Sequence, residues 1–466
     1  MIIGEQAADS CARVSTVELV GVGTRRMVLL AAAMLLIGAL TAPSAVAAGG
    51  PDIGSLRGAL ENGTLGQTHG VHAVCAGAAG GCQAQLVTTA KDSSAPLVTD
   101  APVGYGPADL ANAYQLPAAT VGTAGTVAVI DAGAYPKLEQ DLAAYRSQYG
   151  LPACTIANGC LKVANYLGGP PIGPASRAAD KQTEEQLGFE TTLDIDMASA
   201  ACPACHLIEI QVPLADGAAA SQTDADTSAK DFASAVTTAI GMGANAVSMS
   251  YQFNSDDSMT TGDPAKALSH QGVAIVASAG DNAAEGKDNG WPENLGTVVS
   301  VGGTSLYTTN ATGTEFTQTA WSDTGSGCTM NLPAANGQPS TISAYCQGHR
   351  ASTDISSVAD PSTGVAVYDT YSPASGVPAD WTIAGGTSAG APFVAALYAR
   401  GSNLAGVLGP NTLYGAPSKD FTDVTLGQNS PPAFCQHEQE AQALCKAGLG
   451  WDGPTGIGTP AGLAAF

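Results

Sequence analysis

From residue 105 onward the chain alternates short apolar runs with longer amphipathic ones. Thr126-Val127-Ala128-Val129-Ile130-Asp131 is a continuous run of β-formers closed by a carboxylate. A run of about five such residues predicts a strand buried on both faces. His206 to Val212, Ala246 to Ser250, Val273 to Ser278 and Val298 to Val301 predict further strands. Between them, residues 137–149, 188–200, 229–242 and 264–271 carry helical spacing, and Pro107 opens a short capped helix that ends near Tyr114. Residues 154–163 read as a stapled loop leading into a strand. Strands alternating with helices predict an α/β fold with a doubly wound, mostly parallel sheet and helices on both faces. In such sheets ligands collect beyond the carboxyl ends of the strands. Residues 49–100 are rich in Ala, Gly and Ser and show little periodicity, so the expectation there is a short, partly flexible N-terminal extension.

Composition narrows the compartment and the partners. The chain has 466 residues, 12% of them charged, and a net charge of -23. That balance argues against nucleic acid or an anionic membrane as partner. It suits a secreted protein working in acid, where many carboxylates become neutral. Arg25 and Arg26 precede an apolar run over 27–40, followed by small residues from Ala42 to Ala48. Residues 1–48 therefore read as a secretory signal cleaved near Ala47 or Ala48, since the run falls short of the roughly 20 residues of a membrane span. Of eleven cysteines, Cys11 precedes that site. The others form close neighbours: Cys75/Cys82, Cys154/Cys160, Cys202/Cys205, Cys328/Cys346 and Cys435/Cys445. Five local disulfides in an oxidising compartment are expected. Cys202-Pro203-Ala204-Cys205 also fits a redox or zinc motif, but no second cysteine pair or histidine set accompanies it at metal spacing.

The candidate chemistry begins at Gly385-Gly386-Thr387-Ser388, a tight turn before an Ala-rich helix. A serine in the first turn of a buried helix has unpaired N–H groups and a positive dipole end beside it, which suits a nucleophile; an ordinary N-cap is the alternative. None of the six histidines lies in a His-Gly-Thr stretch, so a carboxylate base has to be considered. Glu190 and Asp194 stand at i and i+4 on one helix face. A pair that shares a proton acts as base and then acid; a solvated acidic face is the alternative, weakened by Leu193, Ile195 and Met197. Asp281 follows a predicted strand in Ala279-Gly280-Asp281, either as a turn former or as a protonated carboxyl that donates to an oxyanion. Asp131 ends the first strand, as a strand-end cap or as part of a site.

Glu190-x-x-x-Asp194, Gly280-Asp281 and Gly386-Thr387-Ser388, in this order, resemble the sedolisin family of serine-carboxyl peptidases. The segment from Tyr105 to Leu110 and on through Ala113-Tyr114-Gln115-Leu116-Pro117 is similar to the start of that family's catalytic domain. The resemblance implies a subtilisin-like fold over 101–466, with Ser388 as nucleophile, Glu190 as general base, Asp194 behind it and Asp281 in the oxyanion hole. It also implies a structural Ca2+ held by Asp423 and Asp452 with the carbonyls of Val424, Gly448 and Gly450, a donor set that suits a hard cation. Two positions depart from the pattern: Asp131 stands where some members carry a glutamate, and Tyr251 where they carry a tryptophan. Residues 49–100 are short for the family's prosegment and would be a minimal pro-region. The expected function is acidic cleavage of protein or peptide substrates by a secreted monomer. The rival readings are a catalytically inactive binding or cell-wall protein on a peptidase fold and a histidine-dependent subtilase.

Overall fold

The strand most legible in the chain lies inside the main sheet. In the computed structural model, which describes residues 52–466 apart from 76, 119–124, 287–289, 311, 372–379 and 431–438, Thr126–Ala132 lies in the middle of an eight-stranded sheet. In chain order the elements that matter here are α1 (Ile53–Glu61), β1 (Val71–Ala73), β2 (Gly80–Cys82), β3 (Gln85–Val87), α2 (Pro107–Ala113), β4 (Thr126–Ala132), α3 (Leu138–Gln148), β5 (Leu161–Asn165), α4 (Ala178–Ala201), β6 (His206–Val212), α5 (Gln222–Gly241), β7 (Ala246–Met249), β8 (Tyr251–Phe253), β9 (Ala274–Ser278), β10 (Val299–Thr308), β11 (Phe316–Ala320), β12 (Ile355–Val358), β13 (Val365–Tyr368), β14 (Trp381–Gly385) and α6 (Thr387–Arg400). The main sheet runs β11-β10-β9-β7-β4-β6-β5, with β12 beside β10. Every pairing is parallel except that of β10 with β11. Burial on both faces is why its central strands are near-continuous runs of Val, Ile and Ala. This is the doubly wound α/β architecture that the pattern predicts.

Several expected elements have different bounds. The helix expected over 188–200 begins a further ten residues upstream, at Ala178. The one expected over 229–242 starts at Gln222, because Ser221 caps it by accepting from the Asp224 amide. The helix expected over 264–271 shrinks to Asp263–Ala267.

The largest difference concerns residues 52–100. Where a loose extension is expected, α1 buries Leu56 and Leu60, and β1 and β3 join β14 and β13 in a second, four-stranded sheet. No gap in packing falls at residue 100. The Thr99 amide donates to the Trp381 carbonyl at 2.8 Å, and Gly50–Phe466 form one compact unit. Strands of three residues carry too few alternations to be read as a period.

Among the described residues the expected disulfides Cys75–Cys82, Cys154–Cys160, Cys202–Cys205 and Cys328–Cys346 are formed. The bonded state of Cys202 and Cys205 disposes of the zinc alternative. Cys435 and residues 1–48, with the expected signal and its cleavage site, lie outside the described residues. Among the described residues no helix is long and apolar enough to cross a membrane.

Candidate active site

Helix α6 packs against β7 and β9 of the main sheet and carries Ser388 in its first turn, fully buried. Gly386, just before it, has φ +91, and a Cβ there would strike backbone. The turn therefore requires glycine. Within the helix Pro392 has no N–H to give to the carbonyl of residue 388. The Ser250 hydroxyl, 3.4 Å from that carbonyl, occupies the open position. The Ser388 hydroxyl in turn donates to the Ser250 carbonyl at 3.3 Å.

Helix α4 packs along α6 and β4, bringing Glu190 and Asp194 into the space beneath Ser388. Both are completely buried. Neither Glu190 oxygen has a hydrogen-bond partner of normal geometry. Burial drives its pKa well above the ordinary carboxyl range. The Ser388 hydroxyl opposes the shift, Asp131 and Asp281 add to it, and the Ala84 amide opposes it. Asp194 is also pushed well up, by burial first, then by Asp131 and Glu190, with Ser250 opposing. The Ser250 hydroxyl reaches both Asp194 oxygens, at 2.7 and 2.9 Å. The solvated-face alternative is thereby removed: this is an enclosed carboxyl pair that retains protons where exposed acids lose them.

Asp131 closes the far side. Its two oxygens are buried without a partner, and burial raises its pKa to about 8. It is a member of the same electrostatic cluster and not a strand cap. Tyr251 stands over it and accepts a hydrogen bond from the Ala132 amide at 3.2 Å.

Asp281 approaches from the end of β9, half-buried. One carboxyl oxygen accepts from the Thr387 amide at 2.8 Å and from its hydroxyl at 2.7 Å. The other accepts from Gln85 Nε2 at 3.1 Å. Enclosure of the carboxyl raises its pKa to about 7 against the pull of Thr387. Below that pH it is a neutral acid beside the N-terminus of α6, which is what a donor to a developing oxyanion requires. The structure thus brings together Ser388 from α6, Glu190 and Asp194 from α4, and Asp281 from the turn after β9. Among the described residues no histidine hydrogen-bonds any of them.

Sequence reasoning missed Ser250, Thr387, Gln83 and Gln85 as parts of this site. Ser250 sits one residue past β7, at the strand end where ligands are expected, and that position was its available signal. The glutamines carried none.

Residues 212–415 match the subtilase family. Kumamolisin of Bacillus sp. (strain MN-32) is 29% identical over 394 residues, which cover 78% of this chain and 63% of that protein. Sedolisin of Pseudomonas sp. (strain 101) is 26% identical over 389 residues, covering 76% and 60%. The chain is thus similar to kumamolisin and sedolisin over about three quarters of its length. Among solved structures, Pseudomonas sedolisin, a serine-carboxyl proteinase complexed with two molecules of pseudo-iodotyrostatin, superposes with a TM-score of 0.59 at 23% identity, over 78% of this chain and 96% of that one. This likeness shows a subtilisin-like fold. The chain spans 63% and 60% of the length of the two curated relatives it matches.

The calcium ligands expected from that family fit a cation on the structure's own terms. Asp423 and Asp452 come close enough to interact, and burial, with Asp423 as a smaller contributor, raises Asp452 to about 7. The Gly450 amide donates to Asp423 at 3.0 Å and the Gly448 amide to Asp452 at 2.9 Å, which folds the loop around the two acids. The carbonyls of Val424, Gly448 and Gly450 accept no hydrogen bond among the described residues. Two neighbouring carboxylates and unclaimed backbone oxygens are what a hard divalent ion binds.

Proposed function

We propose that this chain is a secreted serine-carboxyl endopeptidase that hydrolyses peptide bonds in acid. The single observation that carries the proposal is the placement of the buried Glu190–Asp194 pair under Ser388 with Asp281 on its other side. In this reading the Ser388 hydroxyl turns from the Ser250 carbonyl to Glu190 and attacks the substrate carbonyl. Glu190 takes its proton, with Asp194 and Ser250 fixing the pair. Asp281, protonated, donates to the tetrahedral oxyanion together with amides at the start of α6. Glu190 then returns the proton to the leaving amine, and water repeats the sequence on the acyl-enzyme. Residues 1–48 would be the export signal, 49–100 a minimal pro-region and 101–466 the peptidase domain. The substrate is a protein or peptide, and the working unit a monomer.

The test is hydrolysis of denatured casein by the purified chain from pH 2 to 8. Asp281 is protonated below about pH 7 and loses its proton above it. Activity is therefore expected in acid and to fall as pH rises through 7. An optimum above pH 7 would mean that the oxyanion donor is misassigned.

Asp423 and Asp452, with the Val424, Gly448 and Gly450 carbonyls, would hold one Ca2+, which supplies charge neutralisation and ties the C-terminal loop together. Saturating calcium over chelator is expected to raise Tm. An ion present at ~100 times its Kd contributes about 2.7 kcal/mol. Asp452→Asn should abolish the calcium-dependent increment. A Tm indifferent to calcium would remove the site.

A further inference from the structure

A cavity of about 650 Å³ opens beside Asp281 and against β8. One side is walled by Gln252, Asn254, Ser255, Asp281 and Asn282, the other by residues between 73 and 85. Among the described residues no basic group lines it, and Asp281 is its one carboxyl. That carboxyl is protonated below about pH 7, so in acid the walls are polar but uncharged. Residues 80–85 lie in the cleft in this structure, where a substrate has to take their place. They show which position of a peptide meets the cavity. The Gln83 amide donates to the Ser250 carbonyl at 3.0 Å, the same oxygen that accepts from the Ser388 hydroxyl at 3.3 Å. The Gln83 carbonyl oxygen lies against Gly386, where a Cβ would stand 1.9 Å from it and 2.7 Å from an Asp281 carboxyl oxygen. A residue held this way offers its carbonyl to the start of α6 and its side chain to the turn at Asp281. The Gln83 side chain makes that contact: its Oε1 accepts from the Asp281 amide at 3.0 Å, and its Nε2 donates to the Gly81 carbonyl at 2.8 Å.

The opposite wall supplies a fixed acceptor. Gln252, only 6% exposed, spends both amide hydrogens on the protein, donating to Glu293 Oε1 at 2.8 Å and to the Ala279 carbonyl at 3.3 Å. Two glycines make room for the side chain. A Cβ at Gly290 would stand 2.4 Å from Gln252 Cγ, and one at Gly280, where φ is +96, would stand 2.6 Å from Oε1. Glu293 is wholly buried, and Arg350 Nη2 donates to its carbonyl at 3.1 Å. The Gln252 amide cannot turn over without losing both of its donor bonds, so Oε1 stays an acceptor. It accepts no hydrogen bond among the described residues. A donor and an acceptor, each held by its own surroundings, thus border one cavity: the Asp281 N–H and Gln252 Oε1.

We propose that this chain cuts its substrates after glutamine, with the Asp281 amide donating to the carboxamide oxygen and Gln252 Oε1 accepting from the carboxamide nitrogen. The proposal rests on the serine-carboxyl reading above and makes Gln252 the specificity-determining residue of that site. A carboxamide is the side-chain group that offers one acceptor and two donors without charge. One donor satisfies the peptide's own backbone, as Gln83 does at Gly81, and the second is left for Gln252. Methionine has the length of glutamine and offers neither group. Leucine and phenylalanine also leave the Asp281 amide and Gln252 Oε1 unmet, and unmet buried polar groups are what give a polar site its discrimination. Lysine has nothing to accept from the Asp281 amide and brings a charge out of water into an uncharged cavity.

The experiment measures kcat/KM at pH 4 for octapeptides that differ only in one central residue, Gln, Met, Leu, Phe or Lys, with products identified by mass and casein hydrolysis followed on the same sample. Cleavage after Gln is expected to be roughly tenfold or more faster than after Met. Gln252→Leu fills the slot without the acceptor, so the Gln-to-Met ratio should fall toward one. A merely structural role would lower both rates by one factor and leave the ratio where it was. Gln252→Ala gives the same comparison if the leucine variant does not fold. A parent ratio near one, a preference for any of the other four residues, or a ratio unchanged in the variants overturns the proposal, and the peptidase reading then stands. If casein is cut and the octapeptides are not, the new C-termini of the casein fragments decide: enrichment in Gln supports the proposal and its lack overturns it. A folded chain that cuts neither casein nor any peptide from pH 2 to 8 overturns both.

Discussion

Glu190→Gln and Ser388→Ala are each expected to lower kcat for a peptide substrate at pH 4 on the order of 10^4-fold or more, and the double variant is expected to be no worse than either alone. Groups that act as one unit lose their effect together, because a nucleophile without its base is as weak as no nucleophile. The structure supplies the reason to treat these two as a unit. Ser388 is buried beside a carboxyl whose own oxygens have no other partner of normal geometry. The glutamine is close in shape to the acid but has no proton to deliver and no site to accept one, so folding should survive while chemistry does not. Asp281→Asn offers a contrast. The amide still presents a donor toward the oxyanion, and its donor does not depend on protonation. The loss of activity above pH 7 should therefore become shallower than in the parent chain, at a lower absolute rate. Losses in the double variant that multiply would show two independent contributions, and the assignment of Glu190 as the base of Ser388 would fail.

The division between what was legible in the sequence and what was not follows the range of the interactions. β4, β6, β7 and β9 are buried on both faces, so their apolar runs carry the architecture by themselves. Glu190 and Asp194 were legible because i and i+4 positions share a helix face whatever else happens. Ser388 and Asp281 were legible from small residues at a helix start and a strand end. The bounds of α4 and α5 were not, since their first turns are polar and exposed and take their limits from caps and neighbours. β13 and β14 and the whole of 52–87 escaped for a stronger reason. Gln83 and Gln85 matter only through Asp281, about two hundred residues away in the chain, and nothing local marks a glutamine for such a contact. The same remoteness hid the environment of Asp131, which a strand end alone cannot distinguish from a cap.

The other large effect concerns stability, and its direction is opposite to that of most proteins. Asp131 and Glu209 are wholly buried, and burial raises both to about 8. Asp196 moves the same way for the same reason, and the Glu190–Asp194 pair, also pushed up by burial, shares one proton in the proposed mechanism and leaves Glu190 free to act as base. In the unfolded chain these groups titrate near 4. Between about pH 4 and pH 8 the folded chain therefore holds protons that the unfolded chain has released, and stability must fall as pH rises through that window. A carboxyl moved from about 4 to about 8 contributes as much as ~5 kcal/mol over the whole interval, an upper figure because a buried site relaxes and admits water when it ionises. Two or three such groups together are comparable with the entire stability of an ordinary domain, roughly 5–15 kcal/mol. With calcium held constant, Tm is expected to be highest near pH 4 and to drop by roughly 10 °C or more by pH 8. Asp131→Asn removes one titrating group from the cluster without removing its shape, so the decline should become shallower in that variant. A Tm that is flat or rises from pH 4 to 8 would mean that water or an unseen cation reaches these carboxyls, and the proton-sharing pair beneath Ser388 would have to be given up with it.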